Sequence, residues 1–243
     1  MSSKINRPNS TAPRTCVIIG VGPGNGAALA RRFSADGYRL ALIARSEATM
    51  ASLSATLPDV HSYPCDVADA EALMLTMKRI GNDLGPIDVL VYNAGKGVWG
   101  AAEEIDAARF EEAWRVNTLG AFVASRAVIE GMKARGSGAI IFIGATASRR
   151  GTARATAFAS AKSGQRALAE SLARAYWPAG IHVALIVVDG VVDEPLMRAR
   201  LSDKPEEFFV SPDGIARIAG ELVLQSPSAW SFEVEARPFG ENW

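Results

Sequence analysis

The chain has 243 residues, 49% hydrophobic and 21% charged, enough to bury the core of one large domain. Lys plus Arg equals Asp plus Glu at 26 each, so no net field favours nucleic acid or an anionic membrane as a partner. No apolar segment approaches the about 18 residues that a membrane-spanning helix needs.

Residues 1–14 are polar, carry Asn6, Pro8, Asn9 and Pro13, and lack a signal-peptide apolar core. They are expected to form a disordered tail before a single domain over 15–243. Cys16 to Ile19 reads as a strand buried on both faces. Gly20, Gly22, Gly24 and Gly26 follow within seven residues, with Asn25 among them. Ala27 to Phe33 then begins a helical pattern that closes at Gly37. Strand, glycine turn and helix together form a diphosphate cradle. Missing β-carbons let backbone N–H groups approach phosphates, and the helix N-terminus supplies partial positive charge.

Arg39 to Ala44 is a second strand, ended by Arg45-Ser46, and Ser46 is placed to cap a helix that Pro58 breaks. His61 to Cys65 is a short third strand ending at Asp66. Asp69 caps a helix carrying Leu73, Met77 and Ile80 at helical spacing. After a Gly85-Pro86 turn, Ile87 to Tyr92 is a fourth strand, ending in Asn93-Ala94-Gly95. A long helix is expected from about Asp106 to Met132, with Asn117 inside it. Gly138 to Ile143 is a fifth strand, Arg154 to Tyr176 a second long helix, and Val183 to Val188 a sixth strand before Asp189-Gly190. Asp213 to Leu224 is the last helix, and Ser231 to Ala236 a seventh strand.

Apolar strands alternating with helices predict an α/β fold: a Rossmann-like doubly wound parallel sheet of about seven strands, helices on both faces. Right-handed crossovers put every strand's C-terminal end on one rim, where such sheets bind ligands. Gly20, Arg45, Asp66, Asn93, residues 144–149 and Asp189 all lie just past strand ends.

From about Thr15 onward, the chain resembles the short-chain dehydrogenase/reductase family. The resemblance rests on Gly20-x-x-x-Gly24-x-Gly26, Asp66-Val67, Asn93-Ala94-Gly95, Asn117 and Lys162, in that order. Ile19 stands where threonine is usual. The resemblance implies a nicotinamide dinucleotide held by Gly20, Gly22, Gly24, Asn25 and Gly26 at its diphosphate and by Asp66 and Val67 at its adenine. Asn93, Ala94 and Gly95 would line the same site. Asn117 and Lys162 would be members of a catalytic tetrad, Lys162 also holding the nicotinamide ribose. In this fold the end of the second strand faces the adenosine ribose, where a carboxylate would take the 2′-hydroxyl. Here Ala44 is followed by Arg45 and Ser46, a guanidinium and a hydroxyl suited to a 2′-phosphate. NADP(H) is therefore favoured over NAD(H).

The rest of the tetrad departs from the family. The tyrosine place is Phe158, and the serine place, thirteen residues earlier, is Ala145. Neither a phenyl ring nor a methyl can protonate or hydrogen-bond a carbonyl oxygen, and a missing general acid alone costs about 10²- to 10⁴-fold. Arg154, Arg149 and Thr146 are candidates to polarise a substrate oxygen instead. After the sixth strand, Asp189-Gly190 replaces the family's Pro-Gly. Glu194 stands where a threonine would meet the nicotinamide carboxamide; it either accepts from that amide or faces water. His61 and His182 sit at strand starts and read as structural. No metal-ligand spacing occurs, so no metal is expected.

Cys16 and Cys65 fall in strands, which suggests reduced thiols and a cytoplasmic protein. Two functions remain open. One is an NADP(H)-dependent oxidoreductase with a non-standard proton donor, acting on a small carbonyl or enone compound. The other is a catalytically silent NADP(H)-binding protein, a redox sensor or partner subunit. The two long helices carry Phe110, Trp114, Val123, Leu168 and Leu172, and similar proteins pair these helices across a two-fold axis. A homodimer or homotetramer is expected, with no nucleic-acid or membrane partner.

Overall fold

Largely aliphatic runs, such as Cys16 to Ile19, Leu40 to Ala44 and Ala139 to Ile143, pair here into one parallel sheet whose central strands are covered on both faces. The computed structural model describes residues 13–240. The strands are β1 (Thr15–Ile19), β2 (Arg39–Ala44), β3 (Val60–Pro64), β4 (Ile87–Tyr92), β5 (Gly138–Ile143), β6 (Ile181–Val188) and β9 (Glu233–Ala236). Their order is β3-β2-β1-β4-β5-β6-β9, all parallel, so the chain reverses its direction of winding at β1. This is the expected doubly wound fold.

Side-chain alternation divides the core into two layers. Val17 and Ile19 of β1 pack with Leu73, Met77 and Ile80 of α3 (Ala70–Leu84), Val128 of α5 (Gly120–Arg135) and Ala169 of α6 (Thr156–Tyr176). Cys16 and Ile18 pack on the other face with Phe33 of α1 (Asn25–Ala35), Met50 of α2 (Glu47–Thr56) and Ile215 of α8 (Pro212–Leu224). Cys16 and Cys65 are both free and buried, one in each layer. His182 is structural, as expected: it is buried, with its ring nitrogens 3.0 Å from the Leu222 carbonyl and 2.9 Å from that of Ser231.

Several boundaries differ from expectation. Residues 1–12 of the expected tail lie outside the described residues. Arg14 is held instead by the fold: its carbonyl accepts from Arg39 N at 2.9 Å, and its guanidinium sits 4.3 Å from the Tyr38 ring centre. Ser46 occupies the N-cap of α2, but its hydroxyl caps no backbone N–H. Asp69 does cap α3, accepting from the N–H groups of Glu71 and Ala72.

The expected helix from Asp106 to Met132 is interrupted. α4 (Ala107–Trp114) passes through a π-helical turn, Arg115–Leu119, before α5 continues. The Tyr92 hydroxyl donates to the Val116 carbonyl at 2.6 Å, and π-turns of this kind mark functional positions in helices. Gly120 permits the contact, since a β-carbon there would stand 2.3 Å from the Tyr92 hydroxyl oxygen.

Beyond β6, two short strands, β7 (Val191–Val192) and β8 (Phe209–Val210), pair with each other and enclose α7 (Pro195–Arg200). The segment after Asp189 thus forms a strap across the rim.

Candidate functional site

The C-terminal ends of the strands open onto a cavity of about 1190 Å³. The switch in winding at β1 puts the glycine turn at its centre. Gly20 adopts φ +91°, and a β-carbon there would come within 2.3 Å of Ala94 N, so the turn after β1 and the loop after β4 touch backbone to backbone. Asn93 fastens that contact by donating to the Gly20 carbonyl at 2.6 Å.

Most expected binding residues meet in this cavity: Gly20, Gly22, Gly24, Asn25, Gly26, Arg45, Ser46, Asp66, Val67, Asn93, Ala94, Gly95, Lys162, Gly190 and Glu194 all line it. Ala145 and Phe158 line it too, so the two substituted tetrad places face the same space as Lys162. Asn117 does not. It lies fully buried behind the wall, its amide donating to the carbonyls of Ala113 (2.8 Å) and Lys96 (2.9 Å), and it braces the loop after β4.

The substitute donors suggested by the sequence are mostly removed from the site. Arg154 precedes α6 rather than belonging to it and pairs with Glu104 at 2.6 Å. Arg149 pairs with Glu235 and reaches Glu233 at 3.6 Å. Neither lines the cavity. Thr146 does, but its hydroxyl is given to Asp189 at 2.5 Å. Asp189 in turn is buried and pairs with Arg237, with Arg150 at 3.4 Å. A carboxylate committed this way is an anchor for the rim rather than a cofactor contact.

Among the described residues, Lys162 is the one buried cation lining the cavity, only 4% exposed. Its ammonium donates to the Ile143 carbonyl at 2.9 Å and to Gln165 Oε1 at 3.1 Å. Burial lowers its pKa to about 8, because desolvation penalises the charged form and no carboxylate offsets it. Sequence reasoning missed Gln165, which lies three residues past Lys162 with its side chain fully buried. A glutamine among apolar positions of a helix was the available signal. It also missed Trp99, whose ring covers Phe158 with centroids 5.0 Å apart.

The residues present fit a nicotinamide dinucleotide. α1 has no side-chain cap and no acidic residue in its first turn, so its N-terminus is open to an anion. A β-carbon at Gly22 would meet nothing within 4 Å, and Asn25 Oδ1 is buried beside the turn without a hydrogen-bond partner. Arg45, at the end of β2, is exposed and makes no ion pair among the described residues. No group of three His, Cys, Asp or Glu side chains is placed to hold a metal among the described residues.

Residues 14–205 match the short chain dehydrogenase family. The chain belongs to the short-chain dehydrogenase/reductase family. It is an oxidoreductase of that type, a family that binds a nicotinamide cofactor. The 3-oxoacyl-[acyl-carrier-protein] reductase MabA of Mycobacterium tuberculosis is 28% identical over 186 residues, 76% of this chain and 72% of the relative. The 2-(R)-hydroxypropyl-CoM dehydrogenase of Xanthobacter autotrophicus is 31% identical over 79% of this chain and 80% of its own length. Among solved structures, a short-chain dehydrogenase from Rhodopseudomonas palustris superposes with TM-score 0.81 at 31% identity, covering 93% of this chain and 99% of that one. A metagenomic short-chain oxidoreductase in complex with NADP gives TM-score 0.80 at 26% identity, covering 96% and 100%. No helix among the described residues is long and apolar enough to cross a membrane.

Proposed function

We propose that this protein is an NADP(H)-dependent oxidoreductase acting on a small carbonyl or enone compound, with a proton donor other than the family's tyrosine. The observation that carries the reading is a single cavity lined at one end by Arg45 and the glycine turn and at the other by Lys162. The relative solved with NADP supports the choice of cofactor. Arg45 and the uncommitted Ser46 hydroxyl would hold the 2′-phosphate, and the glycine turn with the N-terminus of α1 the diphosphate. Lys162 would hold the nicotinamide ribose. The bound cofactor supplies hydride to the substrate carbon. The chain's own part is to orient the substrate against Trp99 and Phe158, to exclude water, and to deliver a proton to the substrate oxygen.

NADPH oxidation against a panel of diketones, aldehydes and enones tests the reading; turnover of at least one class is expected. Phe158 and Ala145 favour a second reading, in which the site binds NADP(H) without turnover as a sensor or partner subunit. NADPH binding with no substrate consumed across the panel selects it.

The protein is further proposed to form a homodimer or homotetramer. Phe110 of α4 (38% exposed), Trp114 (40%) and Phe122 of α5 (43%) leave apolar surface on the outer helices that a second copy would cover. Of the other residues expected at that interface, Leu172 is buried in the core, while Val123 and Leu168 pack against it only partly buried. The buried free thiols of Cys16 and Cys65 fit a reducing compartment such as the cytoplasm.

A further inference from the structure

The cavity wall beside Phe158 is built from one loop and one aromatic pair. Beyond Ala145 the chain turns tightly: the N–H of Arg150 donates to the Thr146 carbonyl at 3.2 Å, which sets Arg150 one turn past the substituted serine place. The loop then folds back on α6, where a β-carbon at Gly151 would stand 3.8 Å from that of Ala159, next to Phe158. Its far end is tied to the loop after β4, the Gly100 N–H donating to the Arg154 carbonyl at 2.9 Å. Trp99 is thereby held over Phe158, yet it remains 58% exposed. Ala155, and Met197 of the strap, extend the apolar lining. An aromatic surface left open in a cavity wall suits a flat apolar ligand.

Arg150 is the charged group set into this wall. It lines the cavity, and its side chain is 61% exposed. Its ion pair is loose, with one terminal nitrogen 3.4 Å from each oxygen of Asp189. Asp189 is already met by the Thr146 hydroxyl and by the nearly buried Arg237. Arg150 can therefore turn to a second anion at little cost, since exposed pairs of this kind are weak. The other charges of the cavity are placed or committed elsewhere. Arg45 and Asp66 stand past β2 and β3, at the adenosine end, and Glu194 lies against Gly24. Lys96 is paired with Glu112. Lys162 gives two N–H groups to the Ile143 carbonyl and to Gln165, whose amide is fixed in turn by the Asn117 carbonyl at 2.9 Å, and keeps the third for the ribose.

We propose that Arg150 is an anion anchor for the substrate, and that the substrate is an aryl oxo acid with its ring against Trp99 and Phe158 and its carboxylate on the guanidinium. This rests on the oxidoreductase reading given above and narrows its substrate class. A guanidinium presents paired N–H donors in the plane that the two oxygens of a carboxylate fit. Apolar walls beside the pair exclude water from one side and strengthen it, while the open side spares it the full cost of desolvation. The carboxylate takes no part in the reduction and stays on the molecule as the carbonyl becomes an alcohol. A neutral carbonyl compound of the same shape would fill the aromatic wall, leave the guanidinium on Asp189 and bind more weakly.

The test is the kinetics of the full chain with saturating NADPH on phenylglyoxylate and 3-benzoylpropanoate, each beside its methyl ester, so that the carboxylate is offered at two distances from the carbonyl. The readout is the kcat/KM of each acid relative to its ester. In Arg150→Ala that ratio should fall by about tenfold or more for at least one pair, through a raised KM for the acid, and Arg150→Lys should recover part of it. Added salt should shrink the wild-type ratio. A ratio that is the same in Arg150→Ala as in the wild type for both pairs overturns the proposal. So does NADPH affinity that drops in Arg150→Ala, which would place the guanidinium on the cofactor. Reduction of diketones or enones with neither acid consumed overturns it and leaves the oxidoreductase reading intact. If no carbonyl is reduced, that reading fails, and tryptophan fluorescence of the NADPH-loaded chain decides the anchor. Acids binding about tenfold tighter than their esters in the wild type but not in Arg150→Ala uphold Arg150 as an anion site, and equal binding overturns it too.

Discussion

At residue 158 a single missing hydroxyl separates this site from the family pattern. If Phe158 and Ala145 occupy the tyrosine and serine places, Phe158→Tyr with Ala145→Ser rebuilds a tetrad around Asn117 and Lys162. Both positions face the cavity, so the added hydroxyls have space. We expect the double variant to reduce activated diketones more than tenfold faster than wild type, with Phe158→Tyr alone recovering part of the gain. A wild type already as fast as the double variant would contradict that role for Phe158. Lys162 also leaves a mark on stability. Its pKa is about 8 in the fold against 10.5 for a free lysine, so the unfolded chain holds the proton more tightly. Stability is therefore lower below pH 8 and rises as pH climbs from about 8 to 10.5. Urea unfolding of wild type and Lys162→Met across that interval should show the wild type gaining on the variant by about 3 kcal/mol. A constant difference between the two would show that Lys162 titrates normally.

The elements separate what local sequence dictates from what tertiary contact imposes. β2, β4 and β5 match their expected bounds because each is a mostly apolar run between breakers, broken in β4 only by Asp88. Asp69 is legible as a cap because capping is a contact between near neighbours. The π-helical turn is not legible, since the hydroxyl that bonds Val116 comes from Tyr92 on another element. Nor is the fate of Arg154, drawn off α6 by Glu104, or of Asp189, claimed by Arg237 forty-eight residues away. The glycine turn and Lys162 were readable because their chemistry is local, whereas Gln165 acquires a role only where three elements meet. Gly120→Ala would drive a methyl into the Tyr92 hydroxyl and should cost about 1–3 kcal/mol, a thermal-shift loss of several degrees. An unchanged Tm would mean that the π-helical turn does not depend on that approach. The strap makes a sharper claim. Glu194 Oε2 lies 3.2 Å from where a β-carbon of Gly24 would stand, at the diphosphate end of the cradle. Its carboxylate opposes a polyanion there, so Glu194→Gln should tighten NADPH binding by about tenfold at low salt, as for one charge pair roughly 6 Å apart at an effective dielectric of about 40, and by less at high salt. Weaker binding in that variant would instead favour an amide-accepting role.

For the molecule as a whole, the two-layered core and the parallel sheet account for where everything else must sit. A doubly wound sheet has one functional rim, and its switch in winding at β1 fixes the glycine turn between the Arg45 and Lys162 ends of one cavity. The exposed faces of α4 and α5 predict a dimer or tetramer by light scattering at micromolar concentration; a monomer would contradict it. The claim on which the account depends most is that the rim is an NADP(H) site read by Arg45. The five tryptophans, Trp99 in the cavity wall among them, provide the signal for a fluorescence titration of NADPH and NADH against wild type and Arg45→Ala. We predict NADPH binding at least tenfold tighter than NADH in the wild type and loss of that preference in Arg45→Ala, the expected worth of a charge-assisted phosphate contact. Equal affinity for the two cofactors, or undiminished NADPH binding in Arg45→Ala, would contradict it.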